Sequence, residues 1–203
     1  MSLALAILAA GASQRLGECK ALARIGEKRV LEHLLDEAKA VDDERPIIVV
    51  GAHATEIRDW ADVANRDVEL LTNTNWSAGR TGGVQLAALA RPQCDLVIAP
   101  VDCPLVPATV FTALATEWQR QGAPAFGWLA PRFAPDEGPA RFGHPVILGR
   151  DLLMEIISSA PDIPLRRLRG RAQPLLALEV DAQEVLDDLD TPEDLDSYRR
   201  RGR

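Results

Sequence analysis

The chain has 203 residues, 47% of them hydrophobic and 26% charged, enough for one sizeable α/β domain and short for two. Its net charge of −7 excludes a general nucleic-acid binder, yet it leaves room for a locally basic pocket that takes a small anionic substrate. No stretch stays apolar for the roughly 18 residues a membrane span needs. The N-terminus also lacks the basic region and long apolar core of a secretory signal. A cytoplasmic protein without membrane or nucleic-acid partners is therefore expected.

Residues 3–9, 46–50, 68–72 and 95–99 read as strands, three of them almost continuously apolar, as buried parallel strands are when helices cover both faces of a sheet. Between them residues 30–40, 55–64 and 83–90 show helical spacing, and residues 109–120 read as a helix with Thr109 as N-cap. This alternation implies right-handed crossovers and a three-layer α/β/α sandwich around a mostly parallel sheet. Beyond it, residues 124–129 and 145–148 read as strands joined by a Pro/Gly-rich connection over 130–143. Residues 151–158 then read as a helix and 174–180 as a strand. Asp190-Thr191-Pro192-Glu193-Asp194 is a helix start, with Thr191 at the cap, Pro192 in the first helical position and acids in the first turn.

Strand 3–9 empties into Ala10-Gly11-Ala12-Ser13-Gln14-Arg15-Leu16-Gly17-Glu18-Cys19-Lys20. Small side chains let backbone N–H groups approach an anion, and Arg15 and Lys20 add full charges, so the loop suits a polyphosphate. It is not a Walker A loop, because no Gly-Lys-Ser/Thr follows. It is not the dinucleotide fingerprint either, since Ser13 stands where the middle glycine belongs. A tight turn eased by Gly11 and Gly17 explains the glycines but not the cations around them.

Asp102, in Ala99-Pro100-Val101-Asp102-Cys103-Pro104-Leu105, lies just past a buried strand between prolines. Two readings stand for it: a Mg²⁺ ligand, which phosphate oxygens and water would complete, or a cap for the turn before the next helix. Gly79-Arg80-Thr81-Gly82-Gly83-Val84 reads on its own as a glycine-softened helix start. Asp190 is either a second metal ligand, with Asp188 in reserve, or an N-cap, a role that fits Thr191 better. His144, in Gly143-His144-Pro145, reads on its own as a structural histidine. The three cysteines, Cys19, Cys94 and Cys103, have no metal-ligand spacing and fit a reducing compartment. Small-residue packing is favoured over a thiol role for them, and Trp76 and the other tryptophans read as packing. The basic run Arg166-Arg167-Leu168-Arg169-Gly170-Arg171 is a solvated face or, in the sharper reading, a contact for an anionic acceptor.

Together these segments resemble the MobA-like nucleotidyltransferase family, which includes the molybdenum cofactor cytidylyltransferases and guanylyltransferases. The opening loop matches L-A-(A/G)-G-x-S-x-R-x-G-x-x-K at Leu8, Ala9, Ala10, Gly11, Ser13, Arg15, Gly17 and Lys20. Asp102-Cys103-Pro104 looks like the family's D-x-P metal loop, Gly143-His144-Pro145 like its G-H-P, and residues 189–195 like its D/N-T-P-E-D-L close. The resemblance implies a Rossmann-like fold of the nucleotide-diphospho-sugar transferase type over residues 1–203. Residues 1–110 would form the NTP-binding half and 111–203 the acceptor half.

By that resemblance Leu8, Ala9, Ala10, Gly11, Ser13, Arg15, Lys20, Thr81, Gly82 and Gly83 would hold the nucleotide, with Gly82 and Gly83 standing where relatives carry a serine and Thr81 supplying a hydroxyl instead. Arg15, Lys20 and Asp102 would be catalytic, Asp102 and Asp190 would hold Mg²⁺, and Gly143 and His144 would meet the acceptor. Ala10, where a second glycine marks the guanylyltransferase branch, favours CTP. The implied reaction moves CMP to a phosphorylated acceptor, molybdopterin first, with a molybdoenzyme or its chaperone as client. A sugar-phosphate nucleotidyltransferase and a non-catalytic nucleotide- or cofactor-binding domain are the alternatives.

Overall fold

Unbroken apolar character puts β1 (Leu3–Ala9) in the middle of a sheet whose two faces are both covered. The structure is a computed structural model and describes residues 2–41 and 45–201. A loop and a short hairpin, β2 (Arg24–Ile25) and β3 (Lys28–Arg29), lead from β1 into α1 (Val30–Ala38). Then come β4 (Ile47–Val50), α2 (Ala54–Val63), β5 (Glu69–Thr72), α3 (Thr81–Ala90), β6 (Asp95–Pro100) and α4 (Ala108–Arg120). The remainder is β7 (Trp128–Phe133), β8 (Arg141–Phe142), β9 (Val146–Leu148), α5 (Arg150–Ile157), α6 (Leu165–Leu168), β10 (Leu175–Glu179) and α7 (Pro192–Arg201).

The strands pair in the order β10-β7-β9-β6-β1-β4-β5, with β8 added on β7. β1 lies parallel to β4 and β6, β4 to β5, and β7 to β10; β9 runs antiparallel between β6 and β7, and β8 is antiparallel to β7. The expected mostly parallel sheet is present, with the antiparallel insertion in its later half.

Alternation along β1 sends Leu3, Leu5, Ile7 and Ala9 into one core with α1, α2, α4 and α7, and Ala4 and Ala6 into another with α3, α5 and α6. These two cores make the three layers, and each fully buried Leu or Ile in them contributes about 1.5–3 kcal/mol. Alanines on the second face let α3 come close. A Cβ added to Gly83 would already lie 3.4 Å from Leu8 Cδ2 and 3.5 Å from Val49 Cγ1. Asp95, almost wholly buried, accepts from Trp118 Nε1 at 2.9 Å and from the Arg150 N–H at 3.0 Å, tying α4 and α5 to the sheet. None of the helices among the described residues is long and apolar enough to cross a membrane.

Several boundaries differ from the sequence reading. The strand expected over 124–129 forms four residues later, as β7; Pro124 instead opens a turn closed by the Gly127 N–H on its carbonyl at 2.7 Å. The connection over 130–143 is correspondingly shorter, because β7 reaches Phe133 and β8 pairs back on it. Thr109 does not cap α4. The helix begins at Ala108, whose N–H is donated to Glu37 Oε2 at 2.7 Å, so the cap comes from α1, distant in sequence. α3 starts at Thr81, which places Gly82 and Gly83 inside its first turn. Thr191 does cap α7: its Oγ1 accepts from the Asp194 N–H at 3.2 Å while its own N–H is donated to Asp194 Oδ2 at 2.8 Å.

Candidate active site

The phosphate-type loop is braced from within. Ser13 takes a positive φ of 50°, and its carbonyl accepts from Leu16 and Gly17 at 3.1 and 3.0 Å, which turns the chain back on itself. Its Oγ accepts from the Lys20 N–H at 3.1 Å, fixing the backbone from which the lysine side chain leaves. Gly17, at φ 81°, occupies the left-handed region where a side chain would be strained. Leu8, Ala9, Ala10, Gly11, Ser13, Lys20, Gly83 and Asp102 all line one cavity of about 190 Å³ at the C-terminal ends of β1 and β6. Ligands in open α/β sheets bind at this edge.

Lys20 is the centre of the charge arrangement. Its side chain is 8% exposed, and its Nζ donates to Asp102 Oδ1 at 2.7 Å and to Asp190 Oδ1 at 2.9 Å. Arg15, largely exposed, donates to the other Asp190 oxygen at 2.7 Å, and Arg80 pairs with the other oxygen of Asp102. The hydrogen bond from Lys20 holds the Asp190 carboxyl below the usual aspartate range. Burial, and then the charges of Asp102 and Asp190, push the nearby Asp188 carboxyl up. Two carboxylates thus converge on one cation with oxygen as the only donor atom, which suits a hard divalent ion such as Mg²⁺ or Mn²⁺.

A second cavity of about 470 Å³ adjoins the first, sharing Leu8, Gly79 and Arg80 with it. Gly143 and His144 line it together with Trp128, Phe142, Arg166 and Arg169. Burial drives the His144 imidazole down to about 4, so it is neutral at neutral pH. Gly143 acts through its lack of a side chain: a Cβ there would collide with the Val185 carbonyl. The neighbouring His144 N–H meets that same carbonyl at 2.9 Å.

Not every expected contact is made. Thr81 is fully buried and its hydroxyl is donated to the Ile163 carbonyl at 2.6 Å, so it supplies no hydroxyl to the first cavity. Gly82 faces Asn73 and Pro161, and of the α3 glycines Gly83 alone reaches that cavity. Conversely, Arg80 lines both cavities, and Trp76 lines the first cavity and the groove holding Arg15 and Asp190. Both residues sit on the loop after β5, and that strand-end position was the available signal. Cys103 is buried with its Sγ 3.8 Å from Asp188 Oδ1, and burial raises its pKa, which leaves an inert thiol.

A strand-end loop of small residues beside converging carboxylates, on a mostly parallel sheet, is an arrangement that suits a nucleotidyltransferase. The chain belongs to the MobA-like NTP transferase domain family, whose model matches residues 5–179. Among characterised proteins it is similar to the bifunctional protein GlmU of Ruegeria sp. (strain TM1040), 30% identical over 155 residues, 75% of this chain and 33% of that protein. It spans less than half the length of the curated relatives it matches.

Among solved structures, Rv0371c from Mycobacterium tuberculosis H37Rv is 26% identical with a TM-score of 0.77, covering 98% of this chain and 99% of that one. A second structure of Rv0371c, a manganese complex, superposes with a TM-score of 0.72 at 24% identity, over 98% and 99% of the two chains. CMP:2-keto-3-deoxy-manno-octonic acid synthetase complexed with CTP shares the fold at 14% identity, with a TM-score of 0.77 over 99% of this chain and 98% of that one.

Proposed function

We propose that the chain transfers a nucleoside monophosphate, CMP by preference, from an NTP to the phosphate of molybdopterin, releasing pyrophosphate. The observation that carries this reading is the placement of Lys20 between Asp102 and Asp190 at the mouth of the phosphate loop. A phosphate oxygen of the acceptor attacks the α-phosphorus in line. The bond to the β-phosphate oxygen breaks, and pyrophosphate leaves with the electron pair. The attacking phosphate is already ionised, so no side-chain nucleophile is needed, and positioning and charge neutralisation are the protein's task.

Asp102 and Asp190 would hold Mg²⁺, which when bound neutralises charge on the α-phosphate and the attacking oxygen. Arg15 and Lys20 exchange their carboxylate partners for the β- and γ-phosphates. Arg80, at the junction of the two cavities, does the same for the attacking phosphate. Backbone N–H groups from Ala10 to Ser13 complete the cradle. Residues 1–110 serve the NTP and 111–203 the acceptor in the main, with Asp190 and Arg80 crossing that division.

Ala10 and the fold shared with a CTP-bound synthetase favour CTP. For the acceptor, the larger cavity is informative by what its described lining residues are. Trp128, Phe142, Ile98 and Val146 give it apolar walls, Arg80, Arg166 and Arg169 give it cations, and His144 and Asp162 are its other hydrogen-bonding side chains. Apolar walls and cations suit a flat ring system bearing a phosphate, and Asp162 offers an acceptor to ring N–H groups as it would to sugar hydroxyls. The similarity to GlmU favours the second reading, a sugar-phosphate nucleotidyltransferase.

The test is Mg²⁺-dependent pyrophosphate release from each of the four NTPs with molybdopterin, a hexose phosphate or a polyol phosphate. Release with CTP and molybdopterin is expected. Release only with a hexose phosphate supports the second reading, and tight nucleotide binding without release under any acceptor marks a non-catalytic domain.

A further inference from the structure

Beside the phosphate loop, a second group of ligating side chains converges, Cys19 among them lining the same cavity as Asp102. Cys19 Sγ, a His53 ring nitrogen and a Glu56 carboxylate oxygen all lie within 4.8 Å of one another. The backbone brings them together. Cys19 closes the phosphate loop, His53 is the last residue before α2, and Glu56 lies in that helix's first turn. The Ala52 N–H is donated to the Ala10 carbonyl at 3.0 Å, and Gly51 permits this approach because a Cβ there would run into that carbonyl.

The His53 imidazole is held on both sides by groups that only accept: Nε2 lies 3.2 Å from the Ala12 carbonyl and Nδ1 lies 2.7 Å from Glu56 Oε1. A neutral imidazole has one N–H. If Nε2 donates it to Ala12, Nδ1 presents a lone pair to a carboxylate, and something positive must lie between them. Either a proton or a metal ion meets that need. A histidine anchored by one N–H on a carbonyl and ligating through its other nitrogen is the usual metal-site arrangement.

We propose that Cys19, His53 and Glu56 bind one zinc-class divalent cation, which clamps the phosphate loop to the start of α2. Thiolate, imidazole and carboxylate together form a zinc-type set of three protein ligands, leaving a fourth position for water. The thiolate selects against Mg²⁺, so this site differs in chemistry from the all-oxygen pair Asp102 and Asp190. The clamp bears on function through Lys20, which follows Cys19 directly. Thiolate and neutral imidazole are the ligating forms, so protons compete with the cation for both side chains.

Cobalt(II), a spectroscopic stand-in for zinc, tests this when titrated into the full chain without nucleotide. The expected result is a thiolate-to-cobalt charge-transfer band that saturates at about one equivalent and is abolished by added zinc. The band should vanish in Cys19→Ser and His53→Ala and persist in Cys94→Ser, Cys103→Ser and Asp190→Asn. Glu56→Gln should weaken binding by more than the roughly 10–100-fold that loss of an outer-shell partner costs. Should the variants misfold, zinc should slow alkylation of Cys19 in the unaltered chain. No thiolate band at saturating cobalt, a band that survives Cys19→Ser, or alkylation indifferent to zinc would each overturn the proposal, leaving a His53–Glu56 ion pair alone. None of these readouts depends on nucleotidyl transfer.

Discussion

Lys20 holds together two carboxylates that would otherwise repel each other. Replacing it with methionine leaves Asp102 and Asp190 facing one another with only Arg80 and Arg15 to balance them. Because both acids still reach water, the expected loss is about 1–3 kcal/mol, below the 3–5 typical of fully buried pairs. The hydrogen bond from Lys20 depresses the Asp190 pKa, so its contribution is complete above the ordinary aspartate value of 3.8 and disappears as pH falls through the lower folded value. Urea denaturation of the two proteins should therefore show a gap at pH 7 that narrows below pH 3.8. Pyrophosphate release by Lys20→Met should fall about 10²–10³-fold, the size found for one preorganised electrostatic donor.

His144 gives a second pH signature. Its folded value near 4 lies below the ordinary 6.5, so the stability it confers is complete above 6.5 and is lost as pH drops toward 4. His144→Leu should remove about 1–2 kcal/mol of the destabilisation seen between pH 7 and pH 5, read as the difference between the two proteins' denaturation midpoints. Most of the residues brought together here were legible in the sequence, since a loop pattern names its own members. Arg80 was passed over because nothing in Gly79-Arg80-Thr81 says that its guanidinium reaches Asp102, and Thr81 was over-read because its burial against Ile163 is a tertiary fact.

Elements fix where these residues stand. Gly143 runs so close to Val185 that Gly143→Ala must displace either the segment before β9 or the 3₁₀ turn Gln183–Leu186. A cost of about 1–3 kcal/mol in thermal or chemical denaturation is expected from such overpacking, with a larger effect on acceptor-dependent than on nucleotide-binding measurements. Glu37→Ala should cost about 1 kcal/mol by uncapping α4, measurable in the same way.

Strands β1, β4 and β6 were readable because buried parallel strands are continuous apolar runs. β7 was misplaced because Pro131 looks like a strand breaker. It is tolerated where β7 changes partners: residues 128–129 pair with β9 and 132–133 with β8, so the changeover falls between them. The cap on α4 was invisible for a related reason, since its acceptor lies on another helix.

For the whole molecule, the sheet order carries β1 and β6 side by side with their C-terminal ends at one edge, and the two cavities and the groove beside Arg15 share residues along that edge. The chain is acidic, yet Arg15, Lys20 and Arg80 gather at one place, where the proposed function puts the triphosphate. Ligand that binds only the folded state stabilises it by about 2.7 kcal/mol at a hundredfold excess over Kd. CTP with Mg²⁺ should therefore raise the melting temperature of the unaltered chain by several degrees and that of Asp102→Asn by much less.

Group transfer is followed most directly through the α-phosphate itself. CTP labelled there is incubated with Mg²⁺ and molybdopterin, and the acceptor is recovered and counted. Nucleotidyl transfer predicts label covalently attached to the acceptor in equal amount to pyrophosphate released, with both lost in Asp102→Asn. Nucleotide bound tightly while the acceptor stays unlabelled, or labelling that Asp102→Asn leaves unchanged, would contradict it.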